Sequence, residues 1–152
     1  MFQCLLYPRV PKSIRIRKES VDASPQVSIV DDDPFVRRAL GRLCEVAGYG
    51  VELYASAEEF LQRTHADNTS CLILDVHLPG RSGLQLQSDL QAAGRRFPIV
   101  FVTAFEDEQT RNQALQTGAV AFLQKPLDNE RLLGVIHNLL TQDRTRVART
   151  PD

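Results

Sequence analysis

Short continuous apolar runs alternate with stretches of helical periodicity along most of this chain. The run VSIV, beginning at Val27, is rich in β-branched residues. Behind it Pro34 suits a first helical turn, and Val36, Leu40, Leu43 and Ala47 recur at helical spacing before Gly48. GVELY then has strand character. SAEEFLQR opens a helix on Ser56, with Glu59 three residues later at capping-box spacing. CLIL is apolar without interruption, as a strand buried on both faces is. SGLQLQSDLQAAG reads as a helix with Leu86, Leu90 and Ala93 inward, stopped at Gly94. PIVFV, EDEQTRNQALQTG, AVAFL and DNERLLGVIHNLL continue as strand, helix, strand and a final helix capped by Asp128. Five strand–helix units in this order predict an α/β fold, a doubly wound parallel sheet with helices on both faces.

The pattern also divides the chain. Residues 1–25 carry Arg9, Lys12, Arg15, Arg17 and Lys18 against Glu19, with Pro8 and Pro11 interrupting any helix. This segment is expected to be a disordered basic leader, since a secretory signal would place its charges before a longer apolar stretch. Residues 26–141 hold the alternating pattern and form one domain. Residues 142–152 lose the apolar periodicity and are expected to be a frayed end or linker, too short for a further domain.

Composition narrows the function classes. A chain of 152 residues with 43% hydrophobic content can build one real core. A net charge of -1 gives no reason to expect nucleic acid or a membrane surface as partner. Three cysteines, Cys4, Cys44 and Cys71, widely spaced and without a CxxC, suit free thiols in a reducing compartment. No apolar run approaches the ~18 residues a membrane helix needs.

In doubly wound sheets, ligands bind beyond the carboxyl ends of the strands. Behind the first strand stand Asp31, Asp32 and Asp33; behind the third, Asp75; behind the fourth, Thr103; behind the fifth, Lys125. Singly these are ordinary: Asp33 before Pro34 is a helix N-cap, Asp75 a turn residue, Lys125-Pro126 a loop. Their convergence on one edge is not. Clustered carboxylates repel and lose hydration, and a hard divalent cation such as Mg²⁺ would offset both. Lys125 is a point charge suited to a phosphate or carboxylate, and Thr103 can donate to a phosphoryl oxygen.

These stretches, IVDDDPFVRRAL, LILDVHLPGRSGLQL, PIVFVTA and GAVAFLQKPL, together resemble the receiver domain of two-component response regulators, over about Gln26 to Leu140. SAEEFL and GAVAFLQKP look most similar to the FixJ-like branch. The resemblance implies a flavodoxin-like (βα)5 sheet of order 2-1-3-4-5. It implies that Asp75 is the phosphoacceptor for a sensor histidine kinase and that Asp32 ligates Mg²⁺ directly. Asp31 would act mainly through water, with Asp75 and the backbone carbonyl of His77 completing the protein ligands. Lys125 would pair with Asp75 and then with the phosphoryl group, on a cis Lys125–Pro126 peptide. Thr103 and Phe122 would be the switch pair. It implies a cytoplasmic signalling protein catalysing only its own phosphorylation and dephosphorylation, and a phosphorylation-dependent homodimer.

Three features bear on that resemblance. Phe122 lacks a tyrosine hydroxyl, so packing alone would hold it inward. His77 stands where side chains tune dephosphorylation in this family, although a solvent-facing loop histidine is the plainer reading. Phe105 is an unusual apolar residue for a site rim, suited to shielding the site or to docking. Two other chemistries compete. A haloacid-dehalogenase-type phosphatase needs its nucleophile in a DxD at the first strand, whereas Asp75 follows the third. An FMN binder needs a phosphate cradle where three acids stand here. A receiver-like module without phosphorylation would not need Asp31, Asp32, Asp75, Thr103 and Lys125 together.

Overall fold

The computed structural model describes residues 24–63, 68–105 and 107–149. The elements are β1 (Gln26–Val30), α1 (Pro34–Val46), β2 (Gly50–Tyr54), α2 (Ala57–Gln62) and β3 (Cys71–Asp75), followed by α3 (Gly83–Ala92), β4 (Ile99–Thr103), α4 (Glu108–Gln116), β5 (Ala121–Gln124) and α5 (Asn129–Arg149). The leader expected over residues 1–25 lies outside the described residues apart from Ser24 and Pro25. All strands pair in parallel in the order β2-β1-β3-β4-β5, the expected doubly wound sheet.

Pleat alternation sorts the strand residues into two cores. Leu72, Leu74, Ile99, Phe101 and Phe122 pack with Ala57 and Phe60 of α2, Leu86 and Leu90 of α3, and Ala114 of α4. Cys71, Ile73, Val100, Val102 and Leu123 pack on the other face with Leu40 and Cys44 of α1 and Leu132, Ile136 and Leu140 of α5. Central strands buried on both faces are why their sequences read as unbroken apolar runs.

Register brings the polar residues level. Val30 faces Leu74, so Asp31 and Asp75 come next to each other one step on. Asp75 faces Val102, and Thr103 faces Gln124, which places Lys125 just past the same edge. By parity, Asp31, Asp75 and Lys125 belong to the α1/α5 face, whereas Thr103 and Phe122 belong to the α2–α3–α4 face.

The helix starts follow the expected chemistry, with small differences. Ser56 accepts the Glu59 N–H at 3.0 Å, but the Glu59 carboxylate reaches the N–H of Ala55, not of Ser56. A reciprocal capping box forms instead at Ser82 and Gln85. Asp128 caps α5 through the N–H groups of Glu130 and Arg131. Ala93, expected inward, is exposed, because α3 ends at Ala92 and Ala93 is its C-cap. The region expected to fray continues α5 as far as Arg149. No Gly or Pro intervenes between Leu140 and Arg149, and propagating a formed helix requires no apolar stripe.

Candidate functional site

The three consecutive aspartates separate into three environments. Asp33 is the N-cap of α1, its carboxylate accepting the N–H groups of Phe35 at 2.9 Å and Val36 at 3.4 Å. Asp32 is exposed. Asp31 is fully buried, with one carboxylate oxygen accepting the Asp33 N–H at 2.9 Å and the other the Lys125 ammonium at 2.9 Å. A buried carboxylate without such partners would cost several kcal/mol. Its main-chain carbonyl accepts from the Arg37 guanidinium at 2.7 Å.

Asp75 ends β3 and is buried. Its Oδ1 accepts the His77 N–H at 3.0 Å, and its Oδ2 lies 3.3 Å from Lys125 Nζ. Burial pushes its pKa up, and the nearby Asp31 adds to that, while the His77 N–H and Lys125 oppose it. For Lys125, burial disfavours the ammonium, but the Asp31 hydrogen bond and the charges of Asp75 and Asp31 outweigh it and raise the pKa. Lys125 therefore holds both buried acids, Asp31 more closely than Asp75. Its main-chain N–H donates to Thr103 O at 2.8 Å, and the peptide to Pro126 is cis, as expected.

One carboxylate oxygen from each of Asp31, Asp32 and Asp75 lies within 4.8 Å of the others. An all-oxygen donor set, two members buried and one open to water, fits a hard divalent cation that retains part of its hydration.

The remaining residues sit around this cluster. Thr103 is buried, and its hydroxyl accepts the Phe105 N–H at 3.2 Å and donates to Phe105 O at 3.0 Å. In this arrangement it is engaged with its own loop. Phe122 is buried against Phe101, ring centroids 6.0 Å apart. His77 is exposed and meets Phe105 edge to face at 6.3 Å, with Phe105 itself 74% exposed.

Sequence reasoning missed two residues that shape the site. Arg37, one turn into α1, anchors the strand end that carries Asp31. Gly83 opens α3 against the main chain of Asp75, where a Cβ would fall 2.3 Å from the Asp75 carbonyl oxygen. Only glycine permits that approach. The signal for Arg37 was a cation one helical turn behind an acid cluster; for Gly83, a glycine at a helix start.

Residues 27–137 match the family model described as the response regulator receiver domain. Nodulation protein W of Bradyrhizobium diazoefficiens is 42% identical over 120 residues, 79% of this chain and 53% of that protein. The transcriptional regulatory protein FixJ of the same organism is 34% identical over 116 residues, 76% of this chain and 57% of that protein. The solved structure of the response regulator StyR superposes with a TM-score of 0.73 at 40% identity, covering 84% of this chain and 65% of that one. The chain thus spans between about half and two thirds of the length of these relatives.

Proposed function

The chain belongs to the response regulator receiver domain family, with FixJ among its relatives, and from that membership we propose that Asp75 accepts a phosphoryl group from a sensor histidine kinase. The observation that carries the assignment is the placement of Asp75, buried at a strand end, with a second acid and an ammonium against its carboxylate.

A carboxylate oxygen of Asp75 attacks the phosphorus of the donor's phosphohistidine. The new O–P bond forms as the P–N bond breaks, and its electron pair returns to the imidazole nitrogen. Phosphoryl transfer of this kind depends on positioning and on neutralising the equatorial oxygens. Lys125 supplies one positive charge from its present place beside Asp75. Receiver domains bind Mg²⁺ at an acidic pocket, and here Asp31, Asp32, Asp75 and the His77 carbonyl would hold it. Bound there, Mg²⁺ supplies charge neutralisation and alignment of phosphoryl oxygens. Thr103 exchanges its bonds with Phe105 for one to the phosphoryl group, and Phe122 repacks into the space this opens.

The output is control of a partner or effector, as in the transcriptional regulators among its relatives, through a homodimer favoured by phosphorylation on the α4–β5–α5 face. On this reading the receiver domain works in the cytoplasm on protein partners and not on nucleic acid or membrane. No helix among the described residues is long and apolar enough to cross a membrane.

Mass measurement after incubation with acetyl phosphate and Mg²⁺ tests the chemistry. One phosphoryl adduct is expected, absent in Asp75→Asn; an adduct that survives the substitution overturns the assignment. Sedimentation with and without beryllofluoride tests the output, and a chain monomeric in both states at high concentration points to phosphate relay instead.

A further inference from the structure

The loop that follows Asp75 carries the His77 carbonyl, and its far end is fastened by a residue of another element. Glu58, in the first turn of α2, accepts the Arg81 N–H on its Oε2 at 2.9 Å. Gly80 lies directly beneath with φ +76°, and a Cβ there would stand 3.0 Å from the same oxygen. The Arg81 guanidinium in turn pairs with Asp89 of α3. Near Asp75 the loop is held by the His77 N–H on the Asp75 carboxylate and by the Gly83 N–H on Val76 O at 2.9 Å. His77, Leu78 and Pro79 therefore span between fixed points, with Leu78 buried.

We propose that Glu58 is a positioning residue for the metal site, holding the loop after Asp75 so that the His77 carbonyl faces the acid cluster. The inference rests on the reading of Asp31, Asp32, Asp75 and His77 as the Mg²⁺ ligands. Three features support it. The tie joins segments 23 residues apart, so it fixes the loop relative to the rest of the domain and not merely to itself. Its acceptor is a carboxylate, and hydrogen bonds to ionised acceptors are roughly twice as strong as neutral ones. The Arg81 N–H holds the Glu58 pKa below its ordinary value, which keeps the acceptor ionised. Residues that orient a ligand from outside the coordination shell commonly contribute about 10-fold or more to metal affinity.

The test titrates Mg²⁺ alone into the full chain, following the His77 and Asp75 backbone amides by NMR. Glu58→Ala is expected to weaken Mg²⁺ about tenfold, and Gly80→Ala to do the same by displacing the carboxylate. Glu58→Gln keeps an oxygen acceptor for the Arg81 N–H without the charge, and is expected to recover part of the affinity lost in Glu58→Ala. Glu59→Ala, which alters the neighbouring residue of the same helix turn, is expected to leave affinity unchanged. A merely structural role would make Glu59→Ala and Glu58→Ala alike. A wild type that binds Mg²⁺, with Glu58→Ala indistinguishable from it, overturns this inference alone. A wild type that shows no Mg²⁺ response overturns the metal-site reading and this inference with it.

Discussion

Asp31, Asp32 and Asp33 are chemically identical and adjacent, yet each has its own surroundings and so its own consequence when removed. Asp33 caps a helix through two backbone N–H groups. Asp33→Ala should cost about 1 kcal/mol in urea unfolding and leave Mg²⁺ affinity intact. Asp32 is open to water and to an ion, whereas Asp31 already holds Lys125. In calorimetric titration Asp32→Ala should therefore weaken Mg²⁺ more than Asp31→Ala; the reverse order would exchange their roles. The buried thiols respond to alkali. Burial, with Glu45 adding to it, pushes Cys44 up to about 11, and burial pushes Cys71 up to about 12. A folded pKa above the unfolded value of ~8.5 means stability is retained below that pH and lost as pH rises toward the folded values. Urea midpoints should fall between about pH 8.5 and pH 11. The fall should be shallower in Cys44→Ala; an equal slope would remove Cys44 as a cause.

Among the elements, α4 is the least embedded of the helices: Ala114 is its buried residue, and the rest of it is largely solvated. The Gln87 side chain of α3, itself buried, donates to Ala114 O at 3.0 Å and pins the helix at that point. Gln87→Met keeps the volume and removes the bond, so α4 amides should exchange several-fold faster, about 1 kcal/mol of local stability, while sheet amides do not change. Unaltered α4 exchange would show that the bond is not the anchor. This tie was invisible in the sequence, where Gln87 sits among other polar residues of a weakly amphipathic helix. The sheet was legible because strands buried on both faces must be apolar throughout. Asp31, Asp75, Thr103 and Lys125 were legible because polar residues directly after such strands have few structural reasons to be there. Glu58 acts on a main-chain N–H 23 residues away, which no local pattern encodes. Arg37 and Gly83 meet nearer carbonyls, and a cation or a glycine at a helix start is too common to single out. The extent of α5 was missed for a related reason: helix propagation leaves no apolar stripe to read.

At the scale of the whole molecule, three carboxylates share one edge with one ammonium, a balance a divalent cation should improve. Saturating Mg²⁺ at about 100 times its dissociation constant should raise unfolding free energy by about 2.7 kcal/mol, and by less in Asp75→Asn. Equal stabilisation of both would place the ion elsewhere. The two-faced pleat then has a consequence for how such a molecule can diversify. Asp31, Asp75 and Lys125 belong to the α1/α5 side, while Thr103 and Phe122 belong to the α2–α3–α4 side. The sheet is a partition a single residue thick, and the proposed switch would cross it only at its rim. On the proposed output, surface changes on α4 can alter the listening face without touching the acids, whereas α5 carries part of that face and also packs on the acids' side of the sheet. Input and audience can then drift only partly apart, because α5 serves both sides of the wall.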